Sequence, residues 1–88
     1  MPPGYDANLI DVKYRAGTDV FNPIMLLPQD LQGSVERIGP LAPMGGEKFR
    51  WLRIWLKPST DESEFMRRLR LLEWVEIAEF GALPSPLP

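Results

Sequence analysis

The stretch Lys48-Phe49-Arg50-Trp51-Leu52-Arg53-Ile54-Trp55-Leu56-Lys57-Pro58 decides how this chain folds. Leu52, Ile54 and Leu56 alternate with Phe49, Trp51, Arg53, Trp55 and Lys57. A strand therefore sets three aliphatic side chains on one face and a Trp-Arg-Trp row on the other. Pro58 ends it. The aliphatic face needs helices to cover it, and the tryptophan face is too apolar to be decoration.

Downstream, Ser59 or Thr60 is placed to cap a helix. Glu62 follows Ser59 by three residues in a capping-box pattern, and Asp61 suits the positive helix start. Phe65, Leu69 and Leu72, flanked by Met66, make the helix stripe, and Arg67, Arg68 and Arg70 sit near its C-terminal end, where cations are favoured. Glu73-Trp74 turns the chain into a last strand. Alternation there predicts Val75 and Ile77 on one side and Trp74, Glu76, Ala78 and Phe80 on the other. From Gly81 onward, Pro84, Pro86 and Pro88 each lack an amide donor, so an extended, exposed tail is expected.

Upstream, Gly45-Gly46 reads as a hairpin turn after a short edge strand, Leu41 to Met44, that contains Pro43. Pro28 suits a first helical turn, and Leu31, Val35 and Ile38 at i, i+4 and i+7 predict a helix of about three turns. Gly33 weakens that helix, and Gly39-Pro40 stops it. Val20 to Leu27 follows neither period and is a connector. Ile10, Val12 and Tyr14 alternate with Asp11, Lys13 and Arg15 as a half-buried strand, closed by the turn Ala16-Gly17-Thr18-Asp19.

Strand, helix, short strand, strand, helix, strand is the order of a ferredoxin-like α+β open-faced sandwich, an antiparallel sheet with two helices on one face. Residues 1–7 form a flexible leader, 8–80 the domain and 81–88 the Pro-rich tail. The expected inner face carries Ile10, Val12, Leu52, Ile54, Leu56, Val75 and Ile77 against Leu31, Val35, Phe65, Leu69 and Leu72. Trp51, Trp55, Trp74 and Phe49 then fall on the open face, with Arg53 and Lys57 at its rim. Such a patch marks a partner surface, unless Pro43, Gly45 and the leader fold over it or the register slips by one residue.

Composition narrows the function. The 88 residues include no cysteine and no histidine, which removes disulfides, thiol nucleophiles, imidazole bases and the usual zinc, copper and haem ligands. No catalytic residue, metal or cofactor is expected. Ten Lys and Arg against twelve Asp and Glu offer no broad hold on nucleic acid. No apolar run approaches the roughly 20 residues of a membrane span, and the start has no signal-peptide pattern.

The segments Arg50-Trp-Leu-Arg-Ile-Trp-Leu-Lys-Pro-Ser-Thr-Asp and Phe65-Met-Arg-Arg-Leu-Arg-Leu-Leu-Glu-Trp-Val-Glu-Ile-Ala-Glu resemble the end of the propeptide domain of subtilisin-like serine proteases. Val75-Glu76-Ile77-Ala78-Glu79 is similar to that family's closing strand, with Ile77 in the aromatic position. About 40 residues are covered well and the rest loosely. The resemblance implies an inhibitor and folding chaperone with a protease catalytic domain as partner. Trp51, Arg53, Trp55, Trp74, Glu76 and Ala78 would form the protease-binding sheet face. Glu79 would cap the partner's helix starts. Leu83, Pro84, Ser85, Pro86, Leu87 and Pro88 would occupy the substrate cleft, with Leu87 near the first subsite. Pro88 beside the scissile bond fits a slowly cleaved inhibitor. The chain is cytoplasmic if complete, or exported with its protease if it is a precursor fragment.

Three other readings stand beside this one. The tryptophan face could serve an interaction or dimerisation module, Glu76 and Glu79 could take part in acid-base work, or Trp51, Arg53 and Trp55 could stack nucleic-acid bases. The tail could also be a linker, and Glu79 a solvated strand-end charge.

Overall fold

Alternation in the two central strands sets the layers. The computed structural model describes residues 5–40 and 50–82. The expected strand Leu41 to Met44, the Gly45-Gly46 turn, Phe49 and the tail residues Leu83 to Pro88 lie outside them. Four strands, β1 (Tyr5–Tyr14), β2 (Val35–Pro40), β3 (Trp51–Leu56) and β4 (Val75–Ala82), form one sheet in the order β2-β3-β1-β4. Every neighbouring pair is antiparallel. Two helices, α1 (Gln29–Gln32) and α2 (Glu62–Leu69), and a 3-10 turn at Pro23–Leu26 complete a small α+β fold.

The core lies between the sheet and α2. Ile10, Val12, Leu52, Ile54, Leu56, Val75 and Ala78 from the strands are buried together with Leu27, Leu31, Phe65, Met66 and Leu69. Each large aliphatic or aromatic side chain so buried contributes about 1.5 to 3 kcal/mol. Val20, Ile24, Leu26 and Leu72 close the margins of this cluster, while Phe21 and Met25 on the connecting segment stay exposed.

α2 starts two residues later than the capping-box pattern of Ser59 and Glu62 suggests. Asp61 is the N-cap, its Oδ1 accepting the Glu64 amide at 3.1 Å, whereas the Thr60 hydroxyl donates to the Lys57 carbonyl instead. Glu62 and Glu64 lie in the positive first turn, and Arg67 and Arg68 in the last. An i,i+3 pair from Arg67 Nε to Glu64 at 2.9 Å and an Arg68 to Asp30 ion pair lie on the outer surface, the second joining α2 to α1.

Two expectations are corrected. The helix predicted from Pro28 through Ile38 is one turn, α1, and Val35–Pro40 is the strand β2. A register shift between Val35 and Arg37 inserts Glu36 as an extra residue, so Val35 and Ile38, three apart, both face the core. A bulged strand thereby carries helix-like spacing.

The second correction concerns β4. Tyr14 pairs with Val75, but Lys13 pairs with Ile77 and Val12 with Ala78, so the register shifts at Glu76. Ala78 is 5% exposed and joins the core, with Phe80 packed against it, whereas Ile77, 42% exposed, is on the other face. Ala78 is therefore not part of an outer binding face. Trp74 also belongs to the helix side, packing on the core with its indole N–H donating to the Leu26 carbonyl at 3.0 Å.

Candidate functional site

The sheet face turned away from the helices is built on β3. Leu52, Ile54 and Leu56 point inward, so Trp51, Arg53 and Trp55 form an unbroken, partly exposed outer row. Facing them on β1 are Lys13, Asp11 and Leu9 respectively. The Tyr14 amide donates to the Arg50 carbonyl at 2.8 Å, so alternate residues Val12 and Ile10 also direct their backbone groups to β3. Asp11 and Arg53 consequently occupy a non-hydrogen-bonded position, where opposed side chains lie closest.

That placement supports a forked ion pair. Arg53 Nε meets Asp11 Oδ1 at 2.8 Å and Nη2 meets Oδ2 at 3.1 Å, with the two side chains only 14% and 10% exposed. The carboxylate raises the pKa of the Arg53 guanidinium, chiefly through the hydrogen bond. Bidentate geometry fixes the plane of the guanidinium between the two tryptophans. Arg37 on β2 lies over the Trp55 ring, 3.9 Å from its centroid, a cation–π contact of about 0.5 to 2 kcal/mol. Leu9, opposite Trp55, is fully buried. Gly81 on β4 permits this packing, because a Cβ there would stand 3.0 Å from Leu9 Cβ and 3.1 Å from Asp11 Oδ1.

The acidic candidates occupy the β4 side. Glu79 is exposed and pairs across the strands with Asp11. Glu76, on the bulge, reaches Lys13 Nζ at 3.3 Å and Arg50 Nη1 at 3.4 Å. The Lys13 ammonium, and after it Arg50, hold the Glu76 carboxyl below its ordinary value of 4.5. Because the folded-state value is the lower one, this contribution to stability is complete above the ordinary value and is lost as pH falls through the depressed one. Glu76→Gln is expected to lower the melting temperature at about pH 7 and to match the parent chain near pH 3, checked by thermal scans across pH. An equal deficit at both pH values would rule out the ionic origin.

Of the expected surface, Trp51, Arg53, Trp55, Glu76 and Glu79 lie on or beside this face, and Trp74 and Ala78 do not. Asp11 and Arg37 complete it. The alternation of β1 places Asp11 outward, but only the strand register brings it to Arg53.

No family model, curated protein or solved structure matches the chain. The site is therefore read from its own chemistry. It carries two indoles, a neutralised guanidinium and flanking carboxylates on a rigid sheet, a composition suited to holding a protein surface. Among the described residues, no helix is long and apolar enough to cross a membrane.

Away from this face, a concavity of about 430 Å³ lies between α2 and β4, lined by Ser63, Met66, Arg67, Arg70, Leu71 and Phe80. Arg70 crosses it, donating to the Ala78 carbonyl from Nη2 at 2.9 Å and from Nε at 3.3 Å.

Proposed function

We propose that this chain is a propeptide or inhibitor of a subtilisin-like serine protease, with a ferredoxin-like arrangement, and that it assists the folding of its partner. The Trp51-Arg53-Trp55 row on the helix-free face is the observation that carries this reading. Interface anchors are enriched in Trp and Arg, and those held on a rigid support lose little conformational entropy on binding. The strand order β2-β3-β1-β4, with both crossovers carrying helices on one side, supports the ferredoxin-like arrangement.

In this reading the outer sheet face meets the catalytic domain, and Glu79 offers its carboxylate to helix starts there, an interaction of about 0.3 to 2 kcal/mol. The segment from Leu83 to Pro88 enters the substrate cleft by strand addition. Its prolines pre-order an extended backbone and reduce the entropy lost on binding.

The test is inhibition of a subtilisin-type protease by the full chain and by a chain ending at Ala82. Inhibition by the full chain is expected, weakened roughly 100-fold or more by the truncation, the scale of losing one or two anchors. Equal inhibition by both chains would remove the tail from the cleft. No inhibition by either, with a stable dimer in solution, would replace this reading with an interaction module.

A further inference from the structure

Six of the arginines direct their donors to acceptors within the chain. Arg15, Arg50 and Arg70 donate to main-chain carbonyls, and Arg53, Arg67 and Arg68 meet carboxylates. Arg37 differs from all of them. It is exposed, and its guanidinium has no acceptor among the described residues.

The fold nevertheless holds Arg37 in a defined place. Val35 and Ile38 both face the core because Glu36 is an extra residue, and the same bulge turns Arg37 to the tryptophan side, opposite Trp55. There it lies 3.9 Å from the centroid of the ring. A contact with a ring face restrains the cation and leaves its N–H fork unsatisfied. Two guanidiniums thus stand near Trp55 in opposite states: the fork of Arg53 is closed by Asp11, and that of Arg37 is open. Lys57, two positions beyond Trp55, is also exposed and has no ion-pair partner among the described residues, nor does the adjacent Glu36 pair with either cation.

We infer that Arg37 selects the partner, by receiving an aspartate or glutamate of the docked catalytic domain on the guanidinium that lies over Trp55. This rests on the docking through the outer sheet face proposed above. A surface that covers the Trp55 ring also meets the guanidinium beside it, and a cation taken from water without an acceptor is costly. A carboxylate satisfies the fork with two parallel hydrogen bonds. An apolar or basic surface leaves it unpaired. The same residue therefore favours partners that are acidic at this point and rejects those that are not, a discrimination the two indoles alone do not supply.

Arg37→Met tests this, since it keeps an unbranched stem over Trp55 and removes every donor. Inhibition of a subtilisin-type protease is measured with the parent chain, Arg37→Met, and Arg67→Gln, which removes one positive charge on the helix side. Arg37→Met is expected to weaken inhibition at least about 30-fold, the scale of leaving one partner of a covered charge pair alone, and Arg67→Gln to change it less than about twofold. Between about 0.05 M and about 0.5 M salt, inhibition by the parent chain should weaken more steeply than inhibition by Arg37→Met, because Arg37 is exposed and screened before docking. Arg37→Lys then identifies the acceptor: carbodiimide coupling to the protease is expected to join position 37 to an aspartate or glutamate. If Arg37→Met loses its cooperative melt, this coupling decides the question. Inhibition unchanged in Arg37→Met, parallel salt dependences, or coupling only at other positions overturns the inference and leaves the inhibitor reading standing. A parent chain that inhibits no such protease overturns both.

Discussion

Asp11→Ala is expected to lower stability by about 2 to 4 kcal/mol, because it leaves the guanidinium of Arg53 in a nearly buried position without its neutralising carboxylate. For a domain of this size that is a fall of about 10 to 20 °C in melting temperature. The loss should exceed the worth of the pair itself. Taking two charges out of water offsets much of their attraction, so Asp11→Leu combined with Arg53→Leu is expected to recover most of the deficit. Thermal unfolding of the two single variants and the double variant at neutral pH measures the coupling. A deficit below about 0.5 kcal/mol for Asp11→Ala, the ordinary range of surface changes, would show that the pair behaves as an exposed one.

Phe65→Ala is expected to bring the chain close to unfolding at 25 °C. Phe65 is 2% exposed and, among the described residues, is the largest fully buried side chain, set between α2 and the sheet. Truncating a core phenylalanine costs about 3 to 5 kcal/mol, and 88 residues supply a total of roughly 4 to 13 kcal/mol. Phe65→Leu, which retains most of the volume, should lose far less, about 1 to 1.5 kcal/mol. Urea melts of both variants decide the matter. If Phe65→Ala stays within about 1 kcal/mol of the parent chain, the layer between α2 and the sheet is not the principal core.

Much of the fold was legible because β1, β3 and α2 have undisturbed periods. Ile10 and Val12, Leu52, Ile54 and Leu56, and Phe65 and Leu69 all face inward as their spacing requires. The misread parts of β2 and β4 share one cause. A bulge adds one residue to a strand and converts a spacing of two into a spacing of three. In β2 this made Val35 and Ile38 resemble a helix stripe, and in β4 it exchanged the faces expected of Ile77 and Ala78. Local pattern has no means of detecting an insertion that only the neighbouring strand defines.

The candidate site divides in the same way. Trp51, Arg53 and Trp55 follow from alternation within one strand. Asp11 and Arg37 join them only through pairing across 42 and 18 positions of sequence, which register sets and composition does not. Trp74 was misplaced for a different reason. It precedes β4, so strand alternation does not govern it, and the carbonyl of Leu26 draws its indole to the helix side.

The bulge at Glu76 also bears on which inherited changes the strand can absorb. A substitution there alters a solvent-facing carboxylate and leaves the strand in place. Loss of that single codon would remove the extra residue itself, so Ala78 and Phe80 would stay toward the helices and Ile77 and Glu79 away from them, on a strand paired with β1 without interruption. Over descent, this position is free to vary in kind and in number.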